Sequence, residues 1–123
     1  MNGLTLAYLG DAYYEFKIRE NLIEQGLTDV NQLHKHAIKF TSGVAQAKLM
    51  DYLMEVQFLN DDEIALFKRG RNAGGQGRKN IDAKTYQCAT GFEALIGGLF
   101  LNNQQRADKI IEVCIDYVNG GAT

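Results

Sequence analysis

The sequence contains no proline, and its 123 residues include only two cysteines. Because proline is the residue that breaks helices most strongly, its absence favours long uninterrupted helices. There is no apolar run of about 18 residues, so we predict no transmembrane helix. The amino terminus also lacks the basic region, apolar core and cleavage site of a signal peptide. These absences favour a cytoplasmic protein over a secreted or membrane-embedded one.

The common sequence signatures of several chemistries are absent as well. There is no P-loop, no GxGxxG fingerprint, no nucleophile elbow and no zinc-binding cysteine spacing. Cys88 and Cys114 have neither metal-ligand nor redox spacing, and we predict that both are reduced thiols in the core. His34 and His36 are two residues apart and therefore point to different helix faces. We expect them to lie at the surface, not to bind a metal.

The net charge is small, but basic residues are concentrated in one segment. The chain has a net charge of -2, yet residues 68–84 carry six basic side chains against one acidic residue, Asp82. That segment therefore has a net charge of +5, and the rest of the chain carries -7. A basic segment on an acidic body can hold a polyanion in one place.

Apolar residues recur at helical spacing through most of the chain, and period-2 alternation is nowhere sustained. We predict an all-α fold in one domain, residues 1–119, with a frayed tail at 120–123. The predicted helices run from Leu4 to Gln25, from a cap at Thr28 or Asp29, from caps at Ser42 and Asn60, from Asp82 to Asn102, and from Gln104 to Asn119. The side chains predicted to face inward include Tyr13, Phe16, Val30, Ile38, Val44 and Val56.

The glycine-rich stretch from Gly70 to Asn80 is predicted to be irregular. Four glycines in it alternate with basic and amide side chains. Such a loop can follow phosphates and enter the wide minor groove of A-form RNA. The candidate RNA-binding residues in and beside it are Lys68, Arg69, Arg71, Asn72, Arg78 and Lys79. A solvated loop without a ligand is the alternative.

Asp11 is unusual because it follows Gly10 in the middle of a predicted helix. Both residue types disfavour a helix interior, with Gly costing about 1 kcal/mol relative to Ala. Two unfavourable neighbours indicate that something other than helix stability selected them. Glu15 lies one turn further along the same face. The alternative is an exposed Asp11, with Glu15 paired to Arg19.

Glu93 lies in the most apolar stretch of the chain, and no other charged residue occurs between Lys84 and Arg106. A carboxylate in that setting needs a partner, a metal ion or a raised pKa. An Asp and a Glu on neighbouring helices suit Mg²⁺, which takes few carboxylates and keeps several waters. The alternative is a structural ion pair between Glu93 and an arginine.

The runs Leu9-Gly10-Asp11-Ala12 and Phe92-Glu93-Ala94-Leu95-Ile96-Gly97 resemble the two hallmark segments of the ribonuclease III catalytic domain. The resemblance covers essentially the whole chain. It implies an all-α domain that cleaves double-stranded RNA with Mg²⁺, or Mn²⁺ as a substitute, and leaves 5′-phosphate and 3′-hydroxyl ends. Asp11 and Glu93 would be the metal-binding, catalytic pair, with Asp11 orienting the attacking water.

Several departures from the larger family resemble its Mini-III branch. Ala7, Leu4 and Thr90 stand where the larger family has further acids, and we expect no double-stranded-RNA-binding domain. The run from Lys68 to Ala73, KRGRNA, is similar to that branch too. The branch implies a cytoplasmic homodimer that matures 23S ribosomal RNA. The reduced acid count leaves the number of metal ions open, and Thr90 is a candidate to hold a coordinated water.

Two other functions remain open from the sequence. The missing acids are compatible with a catalytically inactive dimeric module that binds structured RNA. A helical protein-interaction domain, in which Glu93 has a structural ion-pair partner, is the second alternative. It predicts neither RNA binding nor an effect of metal on stability.

Overall fold

The computed structural model describes residues 1–73 and 82–120, and within these ranges every regular element is a helix. The six helices are α1 (Gly3–Glu24), α2 (Val30–Thr41), α3 (Gly43–Glu55), α4 (Asp61–Ala73), α5 (Ala83–Asn102) and α6 (Gln104–Val118). The predicted all-α fold is confirmed. No helix in the described ranges is long and apolar enough to cross a membrane. Of the predicted frayed tail, residues 120–123, Gly120 is described and residues 121–123 lie outside the described residues.

Short polar side chains fix where the helices begin. Asp29, Ser42 and Asp82 each accept a hydrogen bond from the backbone N–H three residues on, at 3.0, 3.1 and 2.9 Å. Asn60 and Glu63 cap α4 reciprocally, each accepting from the other's backbone N–H. Each such cap satisfies a donor that the helix itself cannot. The predicted starts are therefore confirmed within a residue, with Asp29 rather than Thr28 as the cap of α2.

Helices α1 and α5 lie against each other at the centre of the domain, and two glycines allow this. A Cβ atom on Gly10 would overlap the carbonyl oxygen of Glu93, and one on Gly97 would overlap that of Leu6. The two backbones therefore touch without intervening side chains. This close approach brings the Asp11 turn of α1 beside the Glu93 turn of α5.

The prediction that Gly70 begins an irregular stretch is wrong, because α4 continues to Ala73. Gly70 is buried against α5, where a Cβ would lie 2.8 Å from the carbonyl oxygen of Thr90 and 3.0 Å from Cα of Gly91. Tertiary packing therefore selects this glycine, and contact with α5 extends the helix beyond what its propensity favours. Residues 74–81, the rest of the predicted loop, lie outside the described residues.

Several apolar side chains predicted to face inward are exposed instead. They are Phe16, Val30, Ile38, Val44 and Val56. On α1 the buried face is formed by Tyr14 and Ile18, and the Tyr14 hydroxyl donates to the carbonyl oxygen of Phe40 at 2.8 Å. For Phe16 the error arises because α1 carries apolar residues around most of its circumference, so spacing alone does not define one face.

The acidic first turn of α4 has a second role that helix-dipole reasoning did not predict. Glu63 is buried and forms an ion pair with Arg106 of α6, with Nε 2.7 Å from Oε2. Burial acts to raise the pKa of Glu63, but hydrogen bonds from Arg106 and from the backbone of Asn60 outweigh it and lower that pKa. This pair ties α4 to α6 across the molecule.

Both cysteines are free thiols, as predicted. Cys114 is buried in the core, and burial raises the pKa of its thiol to about 12. Cys88 is half-buried, and burial together with the negative charge of Asp51 raises its pKa as well. Both thiols are therefore protonated at neutral pH and have little nucleophilic character.

Candidate active site

A cavity of about 470 Å³ opens between α1, α5 and the junction of α2 and α3. Three carboxylates line it, Asp11 and Glu15 from α1 and Glu93 from α5. No described residue that lines it is basic. Another cavity, of about 380 Å³, is lined by apolar side chains and two lysines and contains no carboxylate. A third cavity, of about 250 Å³, is lined by five carboxylates, but its lining also includes Lys17, which pairs with Glu20. Of these three cavities, the first is the one whose described lining has carboxylates and no basic residue.

Asp11 and Glu93 reach this cavity in different ways. Asp11 is exposed, because the buried position of that turn is taken by Gly10, which contacts α5. Glu93 is half-buried and accepts a hydrogen bond from Nε2 of Gln46, with Oε2 at 3.4 Å. The structure thus places the two predicted residues on one cavity, with one carboxylate accessible to solvent and the other held by a neighbour.

Glu15 both lines the cavity and pairs with Arg19, the two arrangements that the sequence left open. Its Oε2 accepts from Nε of Arg19 at 3.3 Å. Both side chains are partly exposed, with relative exposures of 34% and 62%, so the pair contributes little stability. Glu15 is therefore able to turn toward the cavity at small cost.

Thr90 is buried and lines the same cavity. The Thr90 hydroxyl donates its only hydrogen to the carbonyl oxygen of Tyr86, at 2.9 Å. The oxygen can still accept a hydrogen bond. Thr90 therefore remains a candidate acceptor for a water in the cavity, as the sequence predicts.

The donor set of the cavity fits a hard divalent cation that keeps much of its hydration. Within residues 1–73 and 82–120 no group of three or more His, Cys, Asp or Glu side chains is arranged to hold a metal ion. Two carboxylates, with waters as the remaining ligands, suit Mg²⁺ because it dehydrates reluctantly. A zinc site, which needs three or four protein ligands, does not fit.

Four of the predicted RNA-binding residues lie at the carboxyl-terminal end of α4. Lys68, Arg69 and Asn72 are exposed, and Arg71 is half-buried with its guanidinium 5.6 Å from the centre of the Phe67 ring. This end of α4 packs through Gly70 on Thr90, which lines the cavity. The helix turn that carries these side chains therefore packs directly on a residue of the cavity. Arg78 and Lys79 lie outside the described residues.

Gln46 is a cavity residue that the sequence analysis did not assign to the site. Gln46 of α3 is buried with 1% exposure and lines the cavity beside Glu93. Gln46 lies among apolar residues of α3, and this is the only sign of its burial in the sequence. The sign is weak, because glutamine is mostly solvent-exposed in proteins.

Comparison with known proteins identifies the family. Residues 4–104 match the model of the family described as "Ribonuclease III domain". The chain is 47% identical over 121 residues to the Mini-ribonuclease 3 of Acholeplasma laidlawii, covering 98% of this chain and 97% of that protein. It is 42% identical over 122 residues to the Mini-ribonuclease 3 of Streptococcus pneumoniae, covering 98% and 95%.

A solved structure shares the fold. The crystal structure of a protein from Fusobacterium nucleatum superimposes with a TM-score of 0.82 at 27% identity, covering 94% of this chain and 93% of that one. The matches to Mini-ribonuclease 3 extend over nearly the whole chain, as does the structural match. The chain therefore belongs to the ribonuclease III domain family, in its Mini-ribonuclease 3 branch, and is an endoribonuclease of double-stranded RNA.

Proposed function

We propose that the phosphodiester bond is hydrolysed at the cavity between α1 and α5, with Asp11 and Glu93 as the catalytic, metal-binding pair. One observation carries this proposal: two carboxylates from distant parts of the sequence line a single cavity that has no basic residue among its described lining. A bound cation would balance the negative charge of such a cavity. The family uses divalent metal ions, and we propose Mg²⁺, with Mn²⁺ as a substitute.

Such an ion, when bound, lowers the pKa of water and stabilises negative charge on the phosphate. The chain's own residues supply the geometry. Asp11 is exposed on the cavity rim, where it can meet both the RNA backbone and the attacking water. Glu93 is held by Gln46 and so presents its carboxylate in a fixed orientation. The products are 5′-phosphate and 3′-hydroxyl ends.

Incubation of a long double-stranded RNA with the protein and Mg²⁺, followed by mapping of the product ends, tests this function. Mg²⁺-dependent cutting that leaves 5′-phosphates supports it. RNA binding without cutting in Mg²⁺ or Mn²⁺ would favour the inactive binding module instead. Absence of both binding and cutting would favour the protein-interaction domain.

The surface formed by Lys68, Arg69, Arg71 and Asn72 is proposed to bind the RNA backbone. We predict that Lys68→Gln and Arg69→Gln each weaken binding of double-stranded RNA of any sequence. Each should also lower the slope of log affinity against log salt concentration by about 1, because one fewer counterion is released. Filter binding in Ca²⁺ between 50 and 200 mM salt, about the range over which the effect is large, measures this. Lys109→Gln, an exposed lysine of α6, is the matched control. Slopes that equal the control's would contradict the proposed surface.

The exposed face of α1 supports a homodimer. Leu4, Tyr8 and Phe16 lie at four-residue multiples on this helix, and their side chains are 50%, 83% and 58% exposed. Apolar side chains in such a stripe are typical of an interface. Asp11 neighbours Tyr8 on the same helix, so pairing through this face would bring two cavities together. We expect a particle of twice the 13.7 kDa chain mass in sedimentation equilibrium, and a monomer at micromolar concentration would contradict it.

The biological substrate that we propose is the 23S ribosomal RNA precursor, processed in the cytoplasm. This follows from the resemblance of the sequence to the Mini-III branch. Comparison of 23S end maturation in cells with and without an active copy of the protein tests it.

A further inference from the structure

Gln46 is a buried amide with one unsatisfied atom at the edge of the proposed active site. Its Nε2 donates to the carbonyl oxygen of Thr41 at 3.3 Å and to Oε2 of Glu93 at 3.4 Å. Its Oε1 is buried and has no hydrogen-bond partner in the part of the chain that the structure describes. A buried acceptor without a partner costs about 1–3 kcal/mol, so it calls for an explanation.

The orientation of this amide follows from its neighbours. The groups next to Nε2 are a carbonyl oxygen and a carboxylate oxygen, and both only accept hydrogen bonds. Turning the amide over would place Oε1 against two oxygen atoms and leave the N–H groups without acceptors. The unsatisfied atom is therefore an acceptor, and its partner must be a donor.

The described hydroxyls that line the cavity do not serve Oε1, since none of them is its hydrogen-bond partner. The Thr90 hydroxyl donates to Tyr86. Covalent geometry places Oε1 beside Nε2, and thus close to the Glu93 carboxylate that Nε2 contacts. A water in the hydration shell of a cation held by Glu93 is a strong donor in this position. Mg²⁺ retains several such waters when only one or two carboxylates bind it.

We propose that Gln46 is a positioning residue for the metal site, acting with both ends of its amide. Nε2 holds the Glu93 carboxylate, and Oε1 accepts a hydrogen bond from a water that the ion keeps. This inference rests on the proposed function, because Asp11 and Glu93 must be the residues that hold the ion. In this proposal, the neutral amide of Gln46 takes over part of the role of acids that the larger family has and this chain lacks.

Binding of Mn²⁺ in the absence of RNA, followed by the electron paramagnetic resonance signal of the free ion, tests the proposal. Gln46→Met keeps the size of the side chain and removes both polar atoms. We expect it to weaken Mn²⁺ binding by about 10–100-fold, the usual effect of losing a residue that supports a metal ligand. Gln46→Glu loses the Nε2 donor, but it keeps an acceptor at this place and adds a negative charge that attracts the ion, so we expect it to bind Mn²⁺ more tightly than Gln46→Met.

The controls separate this role from a purely structural one. Leu53→Ala removes a fully buried side chain two turns along α3, away from the cavity. It should lower the midpoint of thermal unfolding without changing Mn²⁺ affinity. If Gln46→Met behaves like Leu53→Ala, or if Gln46→Glu loses as much affinity as Gln46→Met, the proposal is overturned.

One further variant distinguishes failure of this inference from failure of the proposed function. Asp11→Asn should weaken Mn²⁺ binding whether or not Gln46 contributes. If Asp11→Asn has no effect on Mn²⁺ affinity, the metal site itself is misplaced, and the role of Gln46 is overturned with it. If Asp11→Asn weakens binding and Gln46→Met does not, only the inference about Gln46 is wrong.

Discussion

Asp11→Asn and Glu93→Gln are each expected to lower Mg²⁺-dependent cleavage of double-stranded RNA by about 10³-fold or more. Each change removes one negative charge from a cavity lined by only three carboxylates. A bound metal ion contributes several kcal/mol of charge stabilisation, and each 1.4 kcal/mol corresponds to about tenfold in rate. Losing about 4 kcal/mol of this charge stabilisation in the transition state therefore lowers the cleavage rate by about 10³-fold.

Neither change should disrupt the fold or the binding of RNA. Asp11 is exposed, and Gln in place of Glu93 keeps the length of the side chain beside Gln46. The two variants should bind RNA in Ca²⁺ at least as tightly as the unmodified protein, since a negative charge facing the phosphates is removed. The loss should therefore appear in kcat and not in KM.

Single-turnover cleavage at saturating protein, measured over a series of Mg²⁺ concentrations, checks this prediction. Asp116→Asn is the matched control, because Asp116 is an exposed carboxylate of α6 that does not line the cavity. Variants at Asp11 and Glu93 that cleave within about tenfold of this control would show that the reaction occurs elsewhere.

Much of the fold was predictable because the helix starts are encoded locally. Asp29, Ser42, Asn60 and Asp82 satisfy backbone donors within three residues of themselves, so each signal lies in a short stretch of sequence. The end of α4 was not predictable in this way. Gly70 is helical because of what it contacts on α5, and that contact depends on the tertiary structure.

The candidate site also contains residues that the local sequence reveals and residues that only the tertiary structure reveals. Asp11 stands out because it follows a glycine inside a helix, and Glu93 stands out because it is a charge in an apolar stretch. Both conflicts are visible in one sequence. Gln46 conflicts with nothing local, since an amide is tolerated on any helix surface. Its burial and its contact with Glu93 arise only when α3 packs on α5. Residues that support a site are therefore harder to find from sequence than residues whose charge is misplaced.

Gly97→Ala is expected to be one of the most destabilising single-methyl changes in the protein. The added Cβ would overlap the carbonyl oxygen of Leu6 and lie 2.9 Å from the backbone N of Gly10. Backbone atoms in two packed helices cannot rotate away, so α1 and α5 must separate. Overpacking of this kind costs about 3 kcal/mol or more, which lowers the thermal midpoint by on the order of 10 °C.

The neighbouring glycine supplies a stringent control for this prediction. A Cβ on Gly98 would lie 2.7 and 2.9 Å from the two Cδ atoms of Leu66, the far end of a side chain that is only half-buried. Leu66 can shift, and alanine is favoured over glycine in a helix by about 1 kcal/mol. Gly98→Ala should therefore change the free energy of unfolding by no more than about 1 kcal/mol in either direction. Urea denaturation of both variants at equal protein concentration measures the difference, and equal losses at the two positions would contradict the packing argument.

The separation of α1 from α5 has a consequence for catalysis as well as for stability. Gly10 and Gly97 set the distance between the two backbones, and Asp11 and Glu93 extend from those same turns. In the folded fraction of Gly97→Ala, the carboxylates should lie further apart and hold a cation less well. A higher Mg²⁺ concentration for half-maximal cleavage is therefore expected for Gly97→Ala at a temperature where the protein is still folded. The Gly98→Ala variant should keep the normal Mg²⁺ dependence, because its added methyl group leaves the contact between α1 and α5 unchanged.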